Sequence, residues 1–218
     1  MIMEPVTIII GGVVLLVSAG VAWAIDKYRE VKRKNSEIEA LRMAITQYSQ
    51  TYSFEPCDEK IIQKCRTYLK NKFSGTIEDK FSKCQSMEDK EQLASEIAQE
   101  LAECMGVSLD DVRYDELGLF TRGYAVSEND RTTIVLNEAF LVADPKQIVK
   151  TICHELRHCL QFQSCKNNKW GYSPQRIAQW LYSWQHYVEC DSIEKYEAYQ
   201  KQIIEIDALN FAEAVFNS

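Results

Sequence analysis

The sequence predicts an α+β domain preceded by one membrane-spanning helix. Three observations carry that prediction: an uncharged apolar run near the N-terminus, three short strand-like runs set between helical segments, and a long helix with an apolar face opposite two histidines. The 218 residues are 46% hydrophobic and 26% charged, the proportions of a folded chain, and the length suits one domain plus an appendage. A net charge of −7 gives no basic footprint for nucleic acid, and eight glycines and four prolines are too few for a collagen-like or linker-rich chain.

Residues 6–25, VTIIIGGVVLLVSAGVAWAI, contain no charged side chain. At about 1.5 Å per residue such a helix spans roughly 30 Å of hydrocarbon. Gly11, Gly12 and Gly20 are tolerated in a membrane helix, and Trp23 suits its interfacial end. Ala22-Trp23-Ala24 resembles a signal-peptide cleavage site. Three features count against cleavage: Glu4 with no basic residue in the leader, a run longer than a signal core, and the basic cluster Lys27, Arg29, Lys32, Arg33 and Lys34 behind it. The positive-inside rule then makes the chain a single-pass protein with its C-terminal bulk in the cytoplasm. Those five basic residues against Glu4, Asp26 and Glu30 give residues 1–34 a net +2, leaving −9 for the remainder.

The basic juxtamembrane segment, residues 26–56, opens as a polar helix to about residue 50. Val31, Ile38, Leu41, Ile45 and Tyr48 recur at heptad-like spacing, too briefly for a coiled coil, and Pro56 closes a linker. The third division, residues 57–218, is the folded domain. Helical periodicity covers residues 58–73 and 88–105, the latter stopped by Gly106. Strand-like runs follow at residues 112–117, 123–127 and 132–136, the last two joined across the turn-like Ser127-Glu128-Asn129-Asp130. Pro145 opens a long helix, Ser173-Pro174 caps another, and a last helix runs from about Ser192 to the end. Eight cysteines, Cys57, Cys65, Cys84, Cys104, Cys153, Cys159, Cys165 and Cys190, form no C-x-x-C pair, so no zinc ribbon or thioredoxin-like motif is indicated. In a cytoplasmic domain they are reduced and mostly packing residues.

The helix after Pro145 contains His154-Glu155-Leu156-Arg157-His158. Residues four apart lie one turn above each other, so both imidazoles reach one ion, while Glu155 points about 100° around the helix toward a water on that ion. Zinc fits the donors, with Glu155 as general base. With three histidines and 21 glutamates among 218 positions, chance gives the pattern on the order of once in 250 such chains. The context adds to it, since Ile148, Val149, Ile152, Leu156 and Leu160 cluster opposite the histidines.

A third protein ligand is needed to leave a position for water. The candidates downstream are Glu189, Asp191, Glu194, Glu197, Glu205 and Asp207. Helical phase favours Glu205, because Ala198, Ala208 and Ala212 lie within about 60° of it and form a small-residue face that admits close approach to the histidine helix.

From about Leu93 onward the chain resembles the small gluzincin-type zinc metallopeptidases, the minigluzincins. The second motif that carries the likeness is Glu205-Ile206-Asp207-Ala208-Leu209-Asn210-Phe211-Ala212, of the form ExDA-x-x-FA. The resemblance implies a zincin-like domain: a short three-stranded sheet, the HExxH helix and a C-terminal glutamate helix. It implies His154, His158 and Glu205 as zinc ligands, Glu155 as general base, and a peptide or protein substrate. Where many relatives carry Asp or Asn that supports a ligand histidine, this chain has Leu209, with Asp207 or a backbone carbonyl as the available substitute.

His186, Tyr187, Tyr196 and Tyr199 are candidates to stabilise an oxyanion. For His186 the alternative is a place in the last turn of a helix, and for each tyrosine plain packing. Residues 132–136 are the candidate strand to receive an extended peptide if they lie at the sheet edge, the alternative being an interior strand. The expected function is a membrane-anchored zinc metallopeptidase. The alternative is a membrane-tethered, zinc-stabilised binding or regulatory module. Oligomeric state is not encoded in these features.

Overall fold

The computed structural model of the chain describes residues 7–10, 13–16, 52–117, 121–128, 131–188 and 193–216. In chain order the elements are β1 (Thr7–Ile10), β2 (Val13–Leu16), α1 (Pro56–Lys72), α2 (Ile77–Phe81), α3 (Met87–Met105), β3 (Asp111–Asp115), β4 (Gly123–Glu128), β5 (Arg131–Asn137), α4 (Glu138–Ala143), α5 (Pro145–Lys166), α6 (Pro174–Gln185), α7 (Ile193–Gln200) and α8 (Ile203–Phe216). This is the mixed α+β class that the sequence predicts.

The helix starts follow from their caps. Pro56 and Pro145 occupy first turns, where a missing N–H costs nothing, and Ser86, Asp144 and Ser173 each accept the backbone N–H three residues on. Gly106 ends α3 with φ +70°, as its position predicts. Helices α2 and α4 are short additions that periodicity did not signal. The expected single C-terminal helix is instead two, α7 and α8. At the break the Gln202 amide donates to the Val188 and Tyr199 carbonyls and accepts from the Val188 N–H.

Within the sheet, β4 and β5 pair antiparallel from Gly123↔Leu136 to Glu128↔Arg131, the predicted hairpin, and β3 pairs parallel with β5. The order is β1-β2-β4-β5-β3. Strand β5 is therefore interior, and the expectation of a peptide-accepting edge at residues 132–136 is corrected. Its run of β-branched and aliphatic residues is buried on both faces from Thr132 to Asn137, the signature of a central strand. Gly123 lets β4 approach closely: a Cβ there would meet the Val135 carbonyl oxygen at 2.8 Å.

Of the apolar residues 6–25, those described are extended. β1 pairs antiparallel with β2, and β2 pairs parallel with β4 at Val14↔Val126 and Leu15↔Ser127. These strands differ from the predicted membrane-spanning helix, and no helix among the described residues is long and apolar enough to cross a membrane. Ile8, Ile9, Ile10, Val13 and Val14 are β-branched, and hydropathy alone does not separate a strand from a span in such a run. The predicted helix over residues 26–50 lies outside the described residues.

Helix α5 packs on β4 and β5, with α3, α6 and α8 around it. Ile148, Val149, Ile152, Leu156 and Leu160 are fully buried, the core face that the periodicity predicts. Burying each such side chain contributes about 1.5–3 kcal/mol. Cys57, Cys65, Cys84, Cys104, Cys153, Cys159 and Cys165 are free, and Cys190 lies outside the described residues.

Candidate metal centre

On the face of α5 away from its apolar stripe, His154 and His158 turn their Nε2 atoms toward each other, 3.0 Å apart. Helix α8 brings Glu205 against them. Its Oε2 lies 3.3 Å from His154 Nε2 and its Oε1 3.5 Å from His158 Nε2. All three donor atoms fall within 4.8 Å of one another, and among the described residues no other group of His, Cys, Asp and Glu does so. The close approach of α8 rests on Ala208 and Ala212, both buried. Ala198, expected on the same face, is exposed on α7 because the helix is broken before α8.

The acids that competed for the third position separate clearly where they are described. Asp207 is fully buried in an ion cluster behind the site, while the side chains of Glu189, Asp191, Glu194 and Glu197 lie outside the described residues. Leu209 is 48% exposed, so support for a histidine from that position does not arise here. His186 stacks on Tyr182 and bonds its carbonyl at the end of α6, matching the helix-end alternative. Tyr187 donates to Glu205 Oε1 at 2.7 Å and stacks on Trp184, so it touches the acidic ligand candidate. Tyr199 also bonds Glu205, and the side chain of Tyr196 lies outside the described residues.

Electrostatics mark the cluster as a place that attracts a cation. Burial opposes a charge on His158, yet the Glu205 carboxylate outweighs it and pushes the imidazole up to about 9. Burial likewise opposes ionisation of Glu205, but His158 and hydrogen bonds from both imidazoles hold it well below the usual carboxylate range. Glu155 is shifted the other way. Burial pushes it up, assisted by the charge of Glu205, against the histidines and the Ala125 backbone amide. Its Oε2 is buried without a hydrogen-bond partner. A buried carboxylate oxygen without a partner is costly, and groups perturbed in this way cluster at functional sites.

Beside His158 runs a small apolar cleft lined by Ala125, Val126, Ser127, Phe162 and Trp184, among others. Residues of β4 and Thr132 of β5 thus border the cleft, and β4, paired with β2 at Val126 and Ser127, is interior like β5.

Periodicity missed the residues behind the site. Gln161, fully buried one turn beyond His158, places its Oε1 3.0 Å from His158 Nδ1. Asp207 takes Arg157 in bidentate fashion at 2.7 and 3.0 Å, Arg176 at 3.0 Å and Tyr52 at 2.8 Å. Arg157 also reaches Asp58 at 2.6 Å and Tyr172 at 2.8 Å, with the rings of Tyr172, Trp180 and Phe211 around its guanidinium. The i, i+3 spacing of His158 and Gln161 was a usable signal for the first contact; nothing local signalled the rest.

Comparison with protein-family models, with curated proteins and with solved structures returned no match for the chain.

Proposed function

We propose that this chain is a membrane-anchored zinc metallopeptidase of the gluzincin type, with His154, His158 and Glu205 as metal ligands and Glu155 as general base. The observation that carries the proposal is the convergence of those three donors beside a buried carboxylate oxygen with no partner. Tetrahedral zinc holds nitrogen and oxygen donors at roughly 2.0–2.1 Å, which sets them about 3.3–3.4 Å apart. The imidazole nitrogens are 3.0 Å apart and each has one Glu205 oxygen near that spacing, Oε2 at 3.3 Å from His154 and Oε1 at 3.5 Å from His158, so the donor types and their proximity suit the ion. The anchor is supported by the charge-free length of residues 6–25 and the basic cluster behind it.

Bound zinc supplies Lewis acidity toward a peptide carbonyl and makes water a stronger acid. The chain supplies the rest. Glu155 accepts the proton of the attacking water on the oxygen that has no other partner, then returns it to the departing amine. The raised affinity of Glu155 for protons suits both halves of that transfer. Trp184 and Phe162 keep the neighbouring cleft apolar, which limits water around the reacting carbonyl.

The test is metal content and peptide-library hydrolysis of the full chain. Wild type and Glu155→Gln are expected to bind zinc equally, His154→Ala and Glu205→Ala to lose it, and Glu155→Gln to lose about 10²–10⁴-fold in hydrolysis. Equal metal content in all four proteins would remove the site. A zinc-loaded wild type no more active than Glu155→Gln would favour the alternative, a tethered zinc-stabilised binding module.

A further inference from the structure

We infer that Gln161 is the positioning residue that fixes the tautomer and ring orientation of His158, through a buried relay running Arg157–Asp207–Gln161–His158. The inference rests on the proposed metal centre and assigns how this chain presents one of its ligands. An imidazole that ligates through Nε2 carries its proton on Nδ1, and a buried Nδ1–H needs an acceptor. His158 is 2% exposed, and Gln161 Oε1 is the atom 3.0 Å from its Nδ1.

An amide could in principle turn either end to the ring. Its other contacts decide the matter. Gln161 Nε2 lies 2.6 Å from Asp207 Oδ2 and 3.0 Å from the Ile204 carbonyl oxygen. Both partners accept hydrogen bonds and neither donates one, so the NH₂ faces them and the carbonyl oxygen is left for His158. His158 Nδ1 must then donate, which leaves Nε2, facing His154 and Glu205, as the atom the ring has for a metal. Asp207 cannot turn away to relax the arrangement. The bidentate Arg157 contact and Arg176 pin both of its oxygens.

Every member of the relay is buried. Arg157, Gln161 and Asp207 show no exposure at all. Solvent cannot replace a missing link, so loss of the amide leaves the His158 N–H unpaired and its ring free to choose the other tautomer. His154 differs, with a side chain 21% exposed.

The experiment uses the full chain with Zn2+ as the probe. It measures zinc affinity by chelator competition, imidazole N–H resonances by NMR of ¹⁵N-histidine-labelled protein, and folding by chemical denaturation. Gln161→Met keeps the length of the side chain and removes its hydrogen bonds; Gln161→Glu keeps an acceptor at Nδ1. The zinc-loaded wild type is expected to show a slowly exchanging His158 Nδ1–H. In Gln161→Glu that signal persists, because a carboxyl that carries its proton toward Asp207 still offers its other oxygen to Nδ1. In Gln161→Met it is lost and zinc affinity falls roughly 10–100-fold. An unchanged resonance and unchanged affinity in Gln161→Met would overturn the inference while leaving the metal centre standing. Should that variant not fold, loss of the resonance in folded Gln161→Glu overturns it. A wild type that binds no zinc sinks the proposed function and this inference together.

Discussion

At Glu205 a single carboxylate faces two imidazoles and two phenols. Its Oε1 accepts from Tyr187 at 2.7 Å, and that tyrosine is held in turn by stacking on Trp184 and by the Gln202 clamp on Val188. The hydroxyl orients the carboxylate so that Oε2 is presented toward His154. Tyr187→Phe keeps the ring stack and deletes that donor. Chelator competition is expected to show zinc affinity lower by about tenfold, with thermal stability little changed, because outer partners of a ligand set its orientation. Unchanged affinity would mean that Tyr199 alone suffices to hold Glu205.

At the scale of elements, the N-terminal apolar run forms strands where it is described, whereas the proposed anchor needs a helix. As strands, Thr7–Ile10 and Val13–Leu16 extend the sheet beyond β4, along the side that borders the cleft. As the proposed span, residues 6–25 would cross a bilayer and Lys27 to Lys34 would lie on its cytoplasmic side. The proposed anchor predicts that the full chain, expressed in cells, stays with membranes after alkaline extraction, and that replacing Val14 and Leu15 by Asp releases it. Recovery of the unaltered chain in the supernatant would remove the anchor and leave the strand pairing as the role of this segment. The metal centre does not depend on the outcome, since α5 and α8 supply all its ligand candidates.

For the molecule as a whole, the buried cluster of Arg157, Arg176, Asp58 and Asp207 ties α1, α5, α6 and α8 together with two cations and two carboxylates. Breaking one such pair strands a charge in the interior. Arg157→Met is therefore expected to cost about 3–5 kcal/mol in urea unfolding. The cluster also sets the acid limit. Burial alone would raise Asp207, but Arg157, Arg176 and Gln161 outweigh it and hold the carboxyl below its ordinary 3.8. In acid the unfolded chain then binds a proton at Asp207 that the folded chain does not. This contribution is complete above the ordinary value and drains away as pH falls toward the folded one. Unfolding free energy measured from pH 6 down to 3 should fall over the lower part of that range. In Arg157→Met the folded-state value of Asp207 moves up toward the unfolded one, so the fall due to Asp207 should shrink; an unchanged acid limb would exclude Asp207 as its source.

How much of this was legible in the chain depends on the range of the interaction. The amphipathic face of α5, its Asp144 and Pro145 start, the Gly106 stop and the β4–β5 hairpin are local patterns, and the sequence by itself determined them. So too with the i, i+4 histidines, because helix geometry alone superimposes them. Helical phase and resemblance together singled out Glu205, and packing brings it to the histidines. The contacts that packing alone creates lie between segments far apart in the chain. Asp58 meets Arg157 across 99 positions and Tyr52 meets Asp207 across 155. The interior place of β5 and the orientation of Gln161 belong with them. Each depends on which partner the folded core brings to a buried polar atom, and neither hydrophobic period nor capping chemistry specifies that partner.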